Sequence, residues 1–171
     1  PEGVIRAFKK ARRQVDATLV LLGNVATDDP EGEQIYESLL KCRQERILIL
    51  SKEDTALVNA LQRKAAVVLQ KSLREGFGLT VAEALWKGTP VIGGNVGGIR
   101  HQIQDGVNGY LVSSVDEAAE RIVEVVGDEE RRRQLSSNAR ESVRKQFLMS
   151  RLLEQYLDLF RDFETVYCPV S

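Results

Sequence analysis

The sequence is poor in the residues that organise specialised folds. Its two cysteines, Cys42 and Cys168, stand far apart and fit no metal spacing, which excludes a disulfide-stapled scaffold and a cysteine-built metal centre. Free thiols in a reducing, cytoplasmic setting are the expectation that follows. There is one histidine, His101, and a lone histidine is more often structural or exposed than catalytic. No apolar run approaches the roughly 20 residues that a membrane span needs, so no membrane span is expected. Pro1–Lys10 is polar and helix-like, unlike a signal peptide. An excess of one charge is missing as well. Lys and Arg total 24 against 25 Asp and Glu, for a net charge of −1. The basic clusters are short and interleaved with acids, so bulk charge gives no reason to expect a nucleic-acid partner. Repeats and low-complexity linkers are absent. Low Cys, Met and Asn beside abundant Arg and Glu is a bias shared with thermophilic proteins.

What remains is a chain of 171 residues, 43% of them hydrophobic, enough for one domain with a real core. Gly3–Gln14 carries Val4, Ile5, Phe8 and Ala11 at helical spacing. Short apolar runs follow at "ATLVLLG" (17–23), "RILIL" (46–50), "AAVVLQ" (65–70), "PVIGG" (90–94) and "GYLV" (109–112), and each is expected to be a strand. Helices are expected at Glu33–Arg43 and Thr55–Lys64, and "NVATDDPEG" is a turn-rich loop. From Val115 the pattern is helical over 115–126, 128–146 and 150–165. Short apolar strands alternating with helices imply βαβ units and a doubly wound parallel α/β sheet covered on both faces. Ligands of such sheets bind beyond the carboxyl ends of the strands. The segments Gly23–Asp29, Lys71–Thr80 and Gly93–Ile99 should therefore share one rim.

The most distinctive stretch is "KSLREGFGLTVAEALWKGTPVIGG" (71–94). Gly76 and Gly78 let backbone approach a ligand closely, and the first free N–H groups of the helix behind them carry partial positive charge, as a phosphate site requires. The same glycines also suit a plain turn. The Gly-Lys-Ser/Thr ending of a Walker loop and the three spaced glycines of a dinucleotide fingerprint are both missing. Glu83 has two readings: the far end of a Thr80-to-Glu83 capping box, or an acceptor for a ligand diol. Glu75 is a rim carboxylate able to accept sugar hydroxyls, or a loop acid paired with Arg74. Gly93–Gly98 forms a second glycine loop after a strand. "DGVNGYLV" (105–112) is a turn into a strand with Gly109 in a tight position, Trp86 is expected in the core, and Asp128–Arg133 is expected to be a solvated helix start.

Glu75 and Glu83 separated by seven residues, with Gly-Phe-Gly after the first acid, then "PVI", "GG" and "DGVNGYLV", resemble the C-terminal domain of family 4 retaining glycosyltransferases of the GT-B fold. "DDPEG", "VNALQRKA" and "VGGIRHQI" resemble its trehalose-synthesising branch. The resemblance implies a Rossmann-like domain that binds a nucleotide sugar, UDP-, ADP- or GDP-glucose, as substrate, with no metal and no other cofactor. It implies a catalytic, donor-positioning and non-nucleophilic role for Glu75 on sugar hydroxyls, helped by the N–H groups of Gly76, Phe77 and Gly78. Leu79 and Thr80 would hold the diphosphate, Glu83 the ribose, Gly97 and Gly98 would wall the cleft, and the base would lie near the loop after Leu50 and near Ser72. Trehalose phosphorylase-like chemistry, sucrose- or glycogen-synthase-like chemistry and a noncatalytic sugar-nucleotide module remain as alternatives. The family's domain opens with a strand followed by an Arg and a Lys that grip the diphosphate, whereas this chain starts at "PEGVIRAFKK". The expectation is a single domain over 1–171, helical from about 115, lacking its first, central strand and the acceptor-binding N-terminal domain. Such a half by itself should be inactive, and a homodimer is left open.

Overall fold

A computed structural model describes residues 1–23, 37, 39–40, 46–72 and 75–167, with side chains to residue 163. The elements run α1 (Glu2–Ala11), β1 (Leu19–Gly23), β2 (Ile47–Ser51), α2 (Thr55–Lys64), β3 (Val68–Gln70), α3 (Leu79–Trp86), β4 (Val91–Gly94), α4 (Ile99–Gln102), β5 (Gly109–Val112), α5 (Val115–Gly127), α6 (Glu129–Gln146) and α7 (Met149–Tyr167). The expected loop at 24–32, both cysteines, Arg74 and most of the helix expected at Glu33–Arg43 lie outside the described residues. The short helix α4 was not anticipated, because the glycines before it mask its period.

All strand pairs are parallel, as the alternation of strands and helices predicts, but they form two sheets rather than one. β1 pairs with β2, Leu19 opposite Ile47, and β3–β4–β5 form the other sheet, with Val68 opposite Val91 and Val91 opposite Gly109. Among the described residues neither β1 nor β3 has a ladder partner on its second edge.

Strand β4 is buried along its whole length, and its alternating side chains face two helical layers. Ile92 packs with α1 and α5 through Ala7, Ala11, Ala118 and Ile122. Val91 packs with α3 and α6 through Val81, Leu85, Ala139 and Val143. Full burial of each such Leu, Val or Ile contributes about 1.5–3 kcal/mol. A third cluster joins Ile5 and Phe8 of α1 to Leu19 and Ile47. Helix α1 thus bridges the sheets, and Leu69 of β3 packs against the clusters on both sides of it.

Helix starts are capped from sequence-local side chains. Asp54 accepts from Leu57 N at 2.9 Å, Ser114 from Glu117 N at 3.0 Å and Asp128 from Arg131 N at 2.8 Å. The run 128–133 is nevertheless not merely solvated. Arg132 Nη1 donates to the carbonyls of Val125 and Val126 at 2.9 and 3.2 Å, closing the end of α5. Arg131 Nη2 donates to Gly106 O at 2.8 Å, and its Nε donates to the Tyr110 hydroxyl at 3.0 Å.

Tyr110, buried in β5, donates its hydroxyl to Glu124, and Arg121 lies 4.6 Å over its ring. Burial works to raise the Glu124 carboxyl, but hydrogen bonds from Tyr110 and Arg121 and the two guanidinium charges outweigh it and hold the carboxyl below its usual value. A folded-state pKa below the unfolded one adds stability above the ordinary glutamate range and loses it as pH falls through the folded value. Glu124→Gln should therefore melt a few degrees below the parent at pH 7, and the gap should close as pH falls through the ordinary glutamate range and past the lowered folded value. Thermal unfolding across pH checks this; a gap of constant size at acid pH would contradict the charge argument.

Candidate functional site

The site grows out of the loop between β3 and α3. Gly78 takes a left-handed φ of 85°, which turns the chain into the helix without a side-chain cap. Its carbonyl accepts from Val81 N at 2.9 Å. Among the described residues, the N–H groups of Gly76, Phe77, Gly78, Leu79 and Thr80 meet no acceptor. Leu79 is 69% exposed and Thr80 is exposed too, so the positive end of α3 opens to solvent. These N–H groups of the helix start and of the loop before it, unpaired among the described residues, can receive an anion.

Glu75 stands at the entrance to this loop, half-buried. Its Oε2 accepts from Ser72 Oγ at 3.2 Å and from Gln70 Nε2 at 3.3 Å, while Gln70 also donates to Ser72 Oγ at 3.0 Å. A triangle of neutral donors thus fixes the carboxylate. Its sequence-expected partner, Arg74, lies outside the described residues.

The capping-box reading of Glu83 is overturned. Helix α3 begins at Leu79 behind Gly78, so Glu83 lies in the second turn, beyond reach of the N-cap. Its Oε2 instead accepts from Gln62 Nε2 at 3.2 Å. Gln62 is buried, takes a hydrogen bond on Oε1 from Lys87 Nζ, and is anchored through its carbonyl by Thr89 Oγ1 at 2.5 Å. The carboxylate is otherwise exposed, with Oε1 left open among the described residues.

The second glycine loop crosses hard against the first. Gly98 N donates to Gly76 O at 2.8 Å and to Glu75 O at 3.3 Å. A Cβ on Gly97, which also has a φ of 45°, would overlap the Glu75 carbonyl, and one on Gly98 would overlap Gly76 O and lie 2.6 Å from Phe77 Cα. A Cβ on Gly94 would stand 2.6 Å from Ser72 O. These glycines therefore allow two backbones to touch, and Gly97 and Gly98 abut residues 75–77 of the first loop. Behind them, buried Gln102 donates Nε2 to Phe77 O and, at 3.4 Å, to Gly78 O. Phe77 meets Phe147 edge-on at 5.8 Å.

Trp86 does not enter the core; it is 42% exposed, because the buried face of α3 is taken by Val81, Ala84 and Leu85. His101 is exposed on α4. Among the described residues no group of three His, Cys, Asp or Glu side chains could hold a metal ion, and no helix is long and apolar enough to cross a membrane. Gln62 and Gln102 escaped the sequence reading, although a polar residue at an otherwise apolar helical position was the available signal.

A family model described as glycosyl transferases group 1 matches residues 1–142. The chain belongs to this family. The group 1 chain is 42% identical over 162 residues to the trehalose synthase of Pyrococcus horikoshii, covering 91% of the chain and 39% of that protein. It is 36% identical over 164 residues to the N-acetyl-alpha-D-glucosaminyl L-malate synthase of Bacillus anthracis, covering 94% of the chain and 42% of that protein. In fold it is similar to Anabaena HepE, solved in complex with UDP-glucose, with a TM-score of 0.77 at 22% identity over 94% of the chain and 44% of HepE. The chain spans about two-fifths of the length of these two curated relatives. The expected mixed α/β architecture with parallel strands, that of the Rossmann-like C-terminal domain of group 1 GT-B proteins, is the one found.

Proposed function

We propose that this chain is the donor-binding half of a retaining glycosyltransferase, which moves glucose from a nucleoside-diphosphate glucose to a sugar acceptor. Glucose is the acceptor suggested by similarity to a trehalose synthase. The observation that carries the reading is a helix start and the loop before it, whose N–H groups over residues 76–80 are unpaired among the described residues, between two carboxylates each already oriented by neutral side chains. The diphosphate accepts from Gly78, Leu79 and Thr80; the ribose diol donates to Glu83; the sugar hydroxyls donate to Glu75, beside Gly76 and Phe77. As the bond from the anomeric carbon to the diphosphate breaks, charge grows on the diphosphate, which helix-end donors stabilise without a metal. The new bond forms to an acceptor oxygen on the face the diphosphate leaves, and the acceptor proton passes to the departing phosphate.

On this reading the acceptor site and the cations beside the diphosphate belong to an N-terminal domain outside residues 1–171. The same reading sets a strand from outside these residues between β1 and β3; its support is that neither has a ladder partner on its second edge among the described residues.

Calorimetric titration of UDP, ADP and GDP into the full-length protein tests the reading. One of the three should bind, and Glu83→Gln should weaken it roughly tenfold to a hundredfold, the loss of one charged hydrogen-bonded contact. Absence of binding by all three would refute the donor site, and an unchanged affinity in Glu83→Gln would remove Glu83 from it. Release of glucose 1-phosphate from trehalose and phosphate, without nucleotide, would move the assignment to phosphorolysis.

A further inference from the structure

Gln102 is 2% exposed, in a helix whose neighbours Ile99 and Ile103 are fully apolar. Its Nε2 donates to the carbonyls of both Phe77 and Gly78, while its Oε1, also buried, has no partner among the described residues. The orientation follows from the chemistry: turning the amide over would set an oxygen against two carbonyl oxygens. A buried amide with one oxygen unmet burdens the fold, so what it gains must come from Nε2.

The anchor behind it is rigid. Asn108, itself buried, donates Nδ2 to Gln102 O at 3.0 Å and to Ser142 Oγ of α6 at 2.9 Å, and its Oδ1 accepts from Gln104 N at 2.8 Å. A chain of hydrogen bonds therefore runs from α6 through Asn108 to Gln102, and ends on the carbonyl side of the peptides that lead into α3. A peptide's N–H points opposite its C=O. The carbonyl of Phe77 belongs to the peptide that carries the Gly78 N–H, and the carbonyl of Gly78 to the one that carries the Leu79 N–H. The Gly78 carbonyl is also held by Val81 N at 2.9 Å, in the first turn of α3, so the Gln102 carboxamide bears chiefly on the peptide of Phe77 O and Gly78 N–H, beside a left-handed φ where glycine gives little resistance to rotation.

We propose that Gln102 is the positioning residue of the donor loop: by holding the Phe77 carbonyl, its carboxamide aims the N–H group of Gly78 at the diphosphate of the donor, beside the Leu79 N–H that the helix itself orients. This deepens the proposed function and rests on it. Gln102 touches no substrate; it acts through backbone.

The test uses the full-length protein with Gln102→Met, which keeps volume and loses both hydrogen bonds, and Gln102→Asn, which keeps the amide but shortens its reach. The probes are UDP, ADP and GDP with their matching nucleosides uridine, adenosine and guanosine. For the pair the parent binds, both variants should lose about tenfold in diphosphate affinity and keep nucleoside affinity, since only the phosphates meet the loop. Equal diphosphate affinity in parent and Gln102→Asn overturns the proposal. So does a parallel fall for diphosphate and nucleoside, which a merely structural role would give. Should Gln102→Met fail to fold, Gln102→Asn decides alone. A parent that binds none of the three diphosphates overturns the donor site itself, and this inference with it.

Discussion

Gly98→Ala is expected to destabilise the protein by about 3 kcal/mol, at the upper end of what overpacking usually costs. The added methyl would meet Gly76 O, Phe77 Cα and Phe77 O, all of them backbone atoms, so no side chain can rotate away. Relief requires the two loops to part, which also breaks the 2.8 Å hydrogen bond from Gly98 N to Gly76 O. Gly97→Ala adds backbone strain to a similar overlap, because its φ is 45°. Gly76→Ala is the internal control: a Cβ there meets nothing within 4 Å, and its stability should stay within about 0.5 kcal/mol of the parent. Urea unfolding with a shared m-value reads all three. Midpoints that coincide for Gly98→Ala and Gly76→Ala would mean that the loops do not cross as described. Nucleotide affinity separates the glycines again. Gly98→Ala should lose it together with stability, whereas Gly76→Ala, whose methyl would face the proposed donor, should lose affinity alone.

The same glycines show what was legible in the sequence. Their clustering after two strand-like runs was visible, and so was the rim they share. The reason for the second cluster was not, because it lies in a contact between segments some twenty residues apart in the chain: Gly94 against Ser72, and Gly97 and Gly98 against 75–77. Strand and helix positions followed from local patterning; Thr55–Lys64 and Gly109–Val112 were placed to the residue. Glu83 was ambiguous for a physical reason. Thr80-Val81-Ala82-Glu83 satisfies the capping-box spacing, and only the left-handed turn at Gly78 starts the helix early enough to disqualify it. Trp86 misled because size and apolarity argue for burial, while three smaller residues already fill the inner face of α3. Gln62 and Gln102 could not be seen as supports, since each meets its partner more than twenty positions away.

The two acids of the site are expected to divide the donor between them, and Glu75→Gln in the full-length protein measures the division. Gln is close to Glu in shape and can still accept from Ser72 and Gln70, so the loop should hold. What is lost is the charge, and charge-assisted hydrogen bonds are roughly twice as strong as neutral ones. For a carboxylate receiving sugar hydroxyls the loss should be about 1.5–3 kcal/mol, or roughly tenfold to 150-fold in kcat/KM for the nucleotide sugar. Affinity for the bare nucleoside diphosphate should not change if, as proposed, Glu75 meets only the sugar. Glu83→Gln should do the reverse in kind, weakening nucleotide sugar and bare nucleotide by the same factor. Each variant is thus the control for the other, and steady-state kinetics beside calorimetry gives both readouts. If Glu75→Gln weakens the bare nucleotide as much as the nucleotide sugar, then Glu75 serves the loop and not the sugar, and the triangle with Gln70 and Ser72 is structural. If the nucleotide sugar is turned over at the parent rate, Glu75 has no part in the donor site.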